Sequence, residues 1–160
     1  MIYPDLASLI DDTATDLSSL VADVQSAGRR AKIVLTGGTA GIKLLERLRD
    51  EPIDWTGVDV FFGDERNVPV DHPNSNEGQA REALLHHVNI PEKNIHGYDL
   101  DGGSMESAVE CYREVLATHA PDGFDLHLLG MGGEGHINSL FPHTSEVRER
   151  DAMAVSYTHL

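Results

Sequence analysis

Three short apolar runs, residues 31–35, 58–62 and 124–129, each break into a polar loop that carries glycine, and helical patterns fill the intervals between them. Strands apolar on both faces, alternating with helices, imply a parallel sheet with helices packed above and below. The chain is therefore expected to adopt an α/β fold, a Rossmann-like parallel sheet with helices on both faces. Ligands of such sheets lie beyond the carboxyl ends of the strands, where all three loops emerge.

The helical segments are delimited by spacing and by breakers. Leu6, Leu9, Ile10, Leu17, Leu20, Val21 and Val24 recur at helical intervals after Pro4-Asp5, and Gly28 with Arg29 and Arg30 ends the pattern. Residues 36–41 read as a tight turn, and 42–49 as a helix with Leu44, Leu45 and Leu48 inward. Residues 76–88 are helical through Ala80, Ala83, Leu84 and Val88 until Pro91 interrupts. A brief extended piece near Ile95 precedes a helix over 104–119, where Met105, Val109, Tyr112, Val115 and Leu116 share a face and Pro121 with Gly123 closes it. Residues 152–157 resemble the start of another strand, and the chain then stops at Thr158-His159-Leu160, which reads as a fragment or a reading frame that lost its continuation.

A chain of 160 residues, 40% of them apolar, is long enough for one domain over 1–160. Its formal net charge of −15 disfavours nucleic acid and anionic membrane surfaces as partners, because both reward clustered Lys and Arg. A bound anion must then find a locally positive pocket, and the candidates are Lys43, Arg66 and helix amino termini. The lone Cys111 cannot form an internal disulfide and falls in a helical pattern, so a reducing compartment and an inert core thiol are expected. No apolar run approaches a membrane span, and Met1-Ile2-Tyr3-Pro4-Asp5 lacks the basic region of a signal peptide, which makes the cytoplasm the expected location.

The richest loop is Leu128-Leu129-Gly130-Met131-Gly132-Gly133-Glu134-Gly135-His136, where four glycines carry one carboxylate and one imidazole. His136 suits general-base work because imidazole titrates near neutral pH and Glu134 is close enough to orient it. His72, His86, His87, His96, His119, His127, His143 and His159 show no metal-ligand spacing, and with no cysteine cluster the sequence gives no metal site. Gly130-x-Gly132-x-x-Gly135 matches the dinucleotide fingerprint, but Glu134 would repel a pyrophosphate and Pro142 cuts short any following helix. Ser139 and Ser75 are possible nucleophiles, yet neither sits in a G-x-S-x-G elbow.

Gly37-Gly38-Thr39-Ala40-Gly41 has the composition to hold a phosphate or sugar hydroxyl on main-chain N–H groups. It is not a P-loop, since Lys43 stands between Ile42 and Leu44. In Phe62-Gly63-Asp64-Glu65-Arg66-Asn67-Val68-Pro69 the Arg66 guanidinium can grip a phosphate through paired hydrogen bonds. One loop bearing His136 and another bearing Arg66 point to chemistry on a small anionic molecule.

Three blocks together resemble the glucosamine-6-phosphate isomerase/6-phosphogluconolactonase family: Leu35-Thr36-Gly37-Gly38-Thr39, the Phe62-to-Pro69 loop with Ser75-Asn76, and Gly130-Met131-Gly132-Gly133-Glu134-Gly135-His136 with Ser139-Leu140-Phe141-Pro142. Deaminases of this fold group carry a Phe-Asn-Glu-Pro type segment where Ser139-Leu140-Phe141-Pro142 stands, so the resemblance favours the lactonase branch. It implies hydrolysis of 6-phospho-D-glucono-1,5-lactone with no nucleotide or metal; the sequence leaves the oligomeric state open, with a monomer as the default expectation. His136 would activate water, Glu134 would hold the imidazole, and Asp64 would bind sugar hydroxyls or order the arginine. Arg66 with Gly37, Gly38 and Thr39 would bind the phosphate, and amides of the Gly132-Gly133-Glu134-Gly135 turn would stabilise the oxyanion. The alternatives are a glucosamine-6-phosphate deaminase or sugar-phosphate isomerase, and a non-catalytic sugar-phosphate-binding fragment. Glu134 stands where the family commonly has Asp, Ile137-Asn138 replaces a Thr-Ala pair, and Ala40-Gly41 replaces a Ser/Thr-Pro ending. The resemblance also implies a longer domain with further strands, helices and a basic substrate contact that this chain lacks.

Overall fold

The computed structural model describes residues 2–156. Helix α1, Leu6–Ser26, starts where the Asp5 carboxylate accepts from the Ser8 amide at 2.8 Å, and the chain leaves it through Gly28 at φ 73°. Strand β1, Ala31–Leu35, and strand β2, Val58–Phe62, match the expected runs residue for residue. Between them lies α2, Gly38–Leu48, with Leu44, Leu45 and Leu48 buried. This helix begins earlier than expected, because Gly38 to Gly41 form its first turn instead of a separate loop.

Helix α3, Asn76–Ala80, runs on into a π-helical turn, Arg81–Leu85, and the chain then forms strand β3, Ile95–His96. Helix α4, Met105–His119, leads to strand β4, Leu126–His127. The run expected over 124–129 thus yields a strand of two residues, although the Asp125 and Leu128 amides also donate to Lys32 and Val34 carbonyls at 2.9 and 3.0 Å. Residues 152–156 form no strand, and Tyr157, the last residue of that expected element, lies outside the described residues.

The four strands pair in parallel, in the order β3-β2-β1-β4. The chain steps outward from β1 to β2 to β3 and then returns to the other side of β1. Crossovers of one hand place their helices on opposite faces when the direction of travel reverses. Helices α1, α2 and α3 with its π-helical turn accordingly pack with Ile33, Leu35, Val60 and Phe62 in one core. Tyr112 and Leu116 of α4 pack with Val34 and Phe61 in a second. The helical period that turns Tyr112 and Leu116 inward leaves Cys111 exposed, which corrects the expectation of a core thiol. Among the described residues no helix is long and apolar enough to cross a membrane.

The buried ends of this sheet hold few polar groups, and those present are paired. Asp59 in β2 receives Arg30 Nε at 2.7 Å and Nη2 at 3.1 Å, and it meets His96 Nε2 at 3.2 Å. The Tyr112 hydroxyl lies 3.2 Å from the Phe62 amide and 3.3 Å from the Phe62 carbonyl, at the end of β2 from which the Asp64 loop departs. Such pairing avoids the roughly 1–3 kcal/mol cost of leaving a buried polar group unsatisfied.

Candidate active site

The reversal of direction at β1 sends the loop after β1 and the loop after β4 to opposite sides, opening a crevice at the carboxyl end of the sheet. A cavity of about 440 Å³ occupies it, lined by residues from all three sequence blocks, including Gly37, Gly38, Thr39, Asp64, Arg66, Gly132 and His136. Leu9 and Ile10 of α1, which helical periodicity alone assigns to the core, form a further wall together with Thr13. A larger cleft of about 750 Å³ lies toward α4 and shares Asp64, Leu129 and Asn138 with the first, but neither His136 nor Arg66 lines it. Acid–base and anion-binding groups meet only in the smaller one of these two.

The first wall is the amino terminus of α2. Gly37 caps it with no side-chain hydrogen bond, so its leading N–H groups have no side-chain acceptor at the cap. Lys43, the other cation expected to meet an anion, is exposed on α2 and does not line the cavity, because the Leu44, Leu45 and Leu48 face turns inward. Arg66 is thus the one cationic side chain lining it among the described residues.

The second wall follows β2. Asp64 Oδ2 accepts from Ser139 Oγ at 2.7 Å, and Asp64 Oδ1 accepts from Asn76 Nδ2 at 3.0 Å. Asn76 Oδ1 accepts from Arg66 Nη1, and Nη1 also reaches the Asn74 carbonyl at 3.5 Å. Glu65 faces the other way: its carboxylate accepts from the Asn76 and Glu77 amides at 2.7 and 2.8 Å and from Ser75 Oγ at 2.9 Å, capping α3. Behind it, burial pushes the Glu77 carboxyl above its ordinary range despite the Arg81 guanidinium at 2.9 Å. Ser139, weighed as a nucleophile from sequence, is a donor to Asp64.

The third wall is the glycine loop after β4. His136 Nδ1 lies 3.0 Å from Glu134 Oε2, and its ring stacks on Phe141 at 4.4 Å between centroids. A Cβ at Gly132 would collide with the imidazole, so the ring sits directly over that residue. Glu134 and Gly133 are exposed and do not line the cavity; Glu134 reaches it through His136. The Gly132 amide donates to the His136 carbonyl and the Gly135 amide to the Gly132 carbonyl, each at 2.9 Å. These two amides hold the turn closed, and the other two of the expected oxyanion set belong to Gly133 and Glu134, which do not line the cavity. No α-helix follows Gly135 among the described residues, where the next helical element is a single 3-10 turn, Glu146–Arg148, so the apparent dinucleotide fingerprint lacks the helix amino terminus it requires.

Residues 4–159 match the model of the family described as glucosamine-6-phosphate isomerases/6-phosphogluconolactonase. The chain belongs to this family. It is 45% identical over 165 residues to a 6-phosphogluconolactonase of Mycobacterium leprae, a match covering 96% of this chain and 67% of that protein. A 6-phosphogluconolactonase of Synechocystis is 43% identical over 128 residues, covering 76% of this chain and 53% of its own length. Among solved structures, the 6-phosphogluconolactonase of Shewanella baltica superposes with a TM-score of 0.81 at 30% identity, covering 94% of this chain and 65% of that one. That of Trypanosoma brucei gives 0.84 at 27% identity, covering 97% and 67%. The chain therefore spans about two thirds of the length of the Mycobacterium leprae and Trypanosoma brucei proteins.

Asn76 also lines the cavity, although spacing and composition did not single it out. Its partners Asp64 and Arg66 lie 12 and 10 residues away across a loop, a distance at which no periodic pattern forms. The resemblance had placed it in the Ser75-Asn76 pair without a role.

Proposed function

We propose that this protein hydrolyses 6-phospho-D-glucono-1,5-lactone to 6-phosphogluconate, the lactonase step of the oxidative pentose phosphate route. The observation that carries the reading is that His136 and Arg66 line one cavity, with Glu134 3.0 Å behind the imidazole. His136 Nε2 takes a proton from a water whose oxygen adds to the lactone carbonyl. The tetrahedral intermediate then expels the ring oxygen, which takes the proton back and becomes a hydroxyl. Glu134 steadies the ring and the cation formed on it. Arg66 and the leading amides of α2 at Gly38 and Thr39 hold the phosphate, and Asp64, fixed by Ser139 and Asn76, meets sugar hydroxyls. An ester carbonyl is already electrophilic, so the scheme requires neither nucleotide nor metal.

The reading extends to a monomer of one domain over residues 1–160, acting in the cytoplasm on a small anionic substrate without nucleic acid. A single cysteine supports the reducing location, and a net charge of −15 supports the exclusion of nucleic acid. The test follows acid release from the lactone against its spontaneous hydrolysis. Acceleration is expected, and ammonia release from glucosamine 6-phosphate without lactone hydrolysis would overturn the assignment in favour of a deaminase.

A further inference from the structure

Asn76 is 4% exposed, and both ends of its carboxamide are committed. A guanidinium has only donors, so the atom facing Arg66 Nη1 is Oδ1, and Nδ2 must face Asp64, where it donates to Oδ1 at 3.0 Å and to the main-chain carbonyl at 2.9 Å. The Asn76 main chain is held independently, its amide donating to Glu65 at 2.7 Å. A Cβ at Gly37 would collide with Asn76 Oδ1, so the side chain is also wedged against the loop after β1. One amide thus touches the loop after β1 and both functional groups of the loop after β2.

Arg66 has no ion-pair partner among the described residues. An amide between Asp64 and Arg66 fixes the direction of the guanidinium without cancelling its charge, which a directly paired carboxylate would do. We infer that Asn76 is a positioning residue that aims Arg66 at the anionic end of the ligand and keeps its charge available. The inference rests on the reading of Arg66 as the phosphate-binding group.

The experiment is a double-mutant cycle on the full chain, with the affinity for 6-phosphogluconate measured by titration calorimetry and inorganic phosphate as competitor. Arg66→Ala and Asn76→Ala should each weaken binding by roughly tenfold or more, the scale of a lost charge-assisted hydrogen bond. Asn76→Ala in the Arg66→Ala background should then cost far less than it does in the parent, because the part of its effect that passes through the guanidinium is gone and only its bond to Asp64 remains to lose. Asn76→Asp, of nearly the same volume, should weaken binding at least as much by pairing with Arg66, and it serves the same cycle if the alanine variant does not fold. Losses that multiply in the double variant would assign Asn76 a structural role and overturn the inference alone. An unchanged affinity in Arg66→Ala would overturn the phosphate reading and the inference with it.

Discussion

Glu134 Oε2 lies 3.0 Å from His136 Nδ1, and this contact assigns the tautomer of the ring. An ionised carboxylate only accepts, so Nδ1 carries the proton and the lone pair of the neutral imidazole sits on Nε2. Replacing His136 by Asn removes the base while keeping a polar group, and the expected loss in kcat is roughly 10²- to 10⁴-fold with KM little changed. Glu134→Gln keeps an acceptor for Nδ1 but not the charge, so it should lose less than Glu134→Ala. Steady-state kinetics on the lactone check the order; wild-type turnover in the Asn variant would remove His136 from the mechanism.

Gly132 gives a second handle on the same ring. A Cβ there would overlap the imidazole, yet Gly132 is not among the residues at positive φ, so alanine meets no backbone strain. Gly132→Ala should therefore displace the ring while leaving global stability within about 1 kcal/mol of the parent. The expected signature is kcat lowered by roughly tenfold or more at an almost unchanged melting temperature. A variant with full turnover would show that the imidazole position over Gly132 is not the reactive one.

The contrast between β1 and β4 explains how much of this fold could be read from sequence. β1 and β2 pair along their whole length and are mostly buried, so the density of apolar residues marked their limits despite Lys32 and Asp59. β4 pairs over two residues with β1 alone, and a run of similar composition then overstates the strand. Helix α2 was read late because glycines at 37, 38 and 41 signal a turn locally, whereas tertiary packing accommodates them in a helix start. Of the site, His136, Glu134, Arg66 and Asp64 were legible because their chemistry is uncommon in loops after buried strands. Asn76 and the α1 wall were not, because one depends on a contact between loops and the other uses apolar residues indistinguishable from core.

Glu65 joins the site to the fold. Its carboxylate accepts from the Asn76 and Glu77 amides and from Ser75 Oγ, so α3 begins on an anion supplied from the loop after β2. Glu65→Ala removes those acceptors and should cost about 1–3 kcal/mol, since hydrogen bonds to charged groups contribute more than neutral ones. Glu65→Gln, retaining one carbonyl oxygen, should lie between. Urea unfolding measures the stability loss, and a parallel rise in KM is expected because Asn76 and Arg66 lose their anchor. Unchanged unfolding in the alanine variant would mean that solvent caps α3 equally well.

The Asp59–His96 pair makes stability depend on pH in a defined direction. Burial pulls the His96 pKa below its ordinary value, with His119 and Arg30 adding repulsion and Asp59 opposing them. Burial alone would raise Asp59, but its bonds from Arg30 and His96 outweigh that and hold it below the usual carboxylate range. An unfolded chain therefore takes up the His96 proton at about pH 6.5, before the folded one does. The folded state keeps its full advantage above that pH and loses it as the pH falls toward the lower native value, whereas Asp59 contributes until the pH drops through its own depressed value. His96 stacks on Phe61 at 4.6 Å and lies 4.2 Å from the His119 ring, so a charge there has little room to relax. His96→Gln should consequently flatten the decline of melting temperature as the pH falls below about 6.5, relative to the parent. An identical slope in both proteins would locate the acid sensitivity elsewhere than this pair.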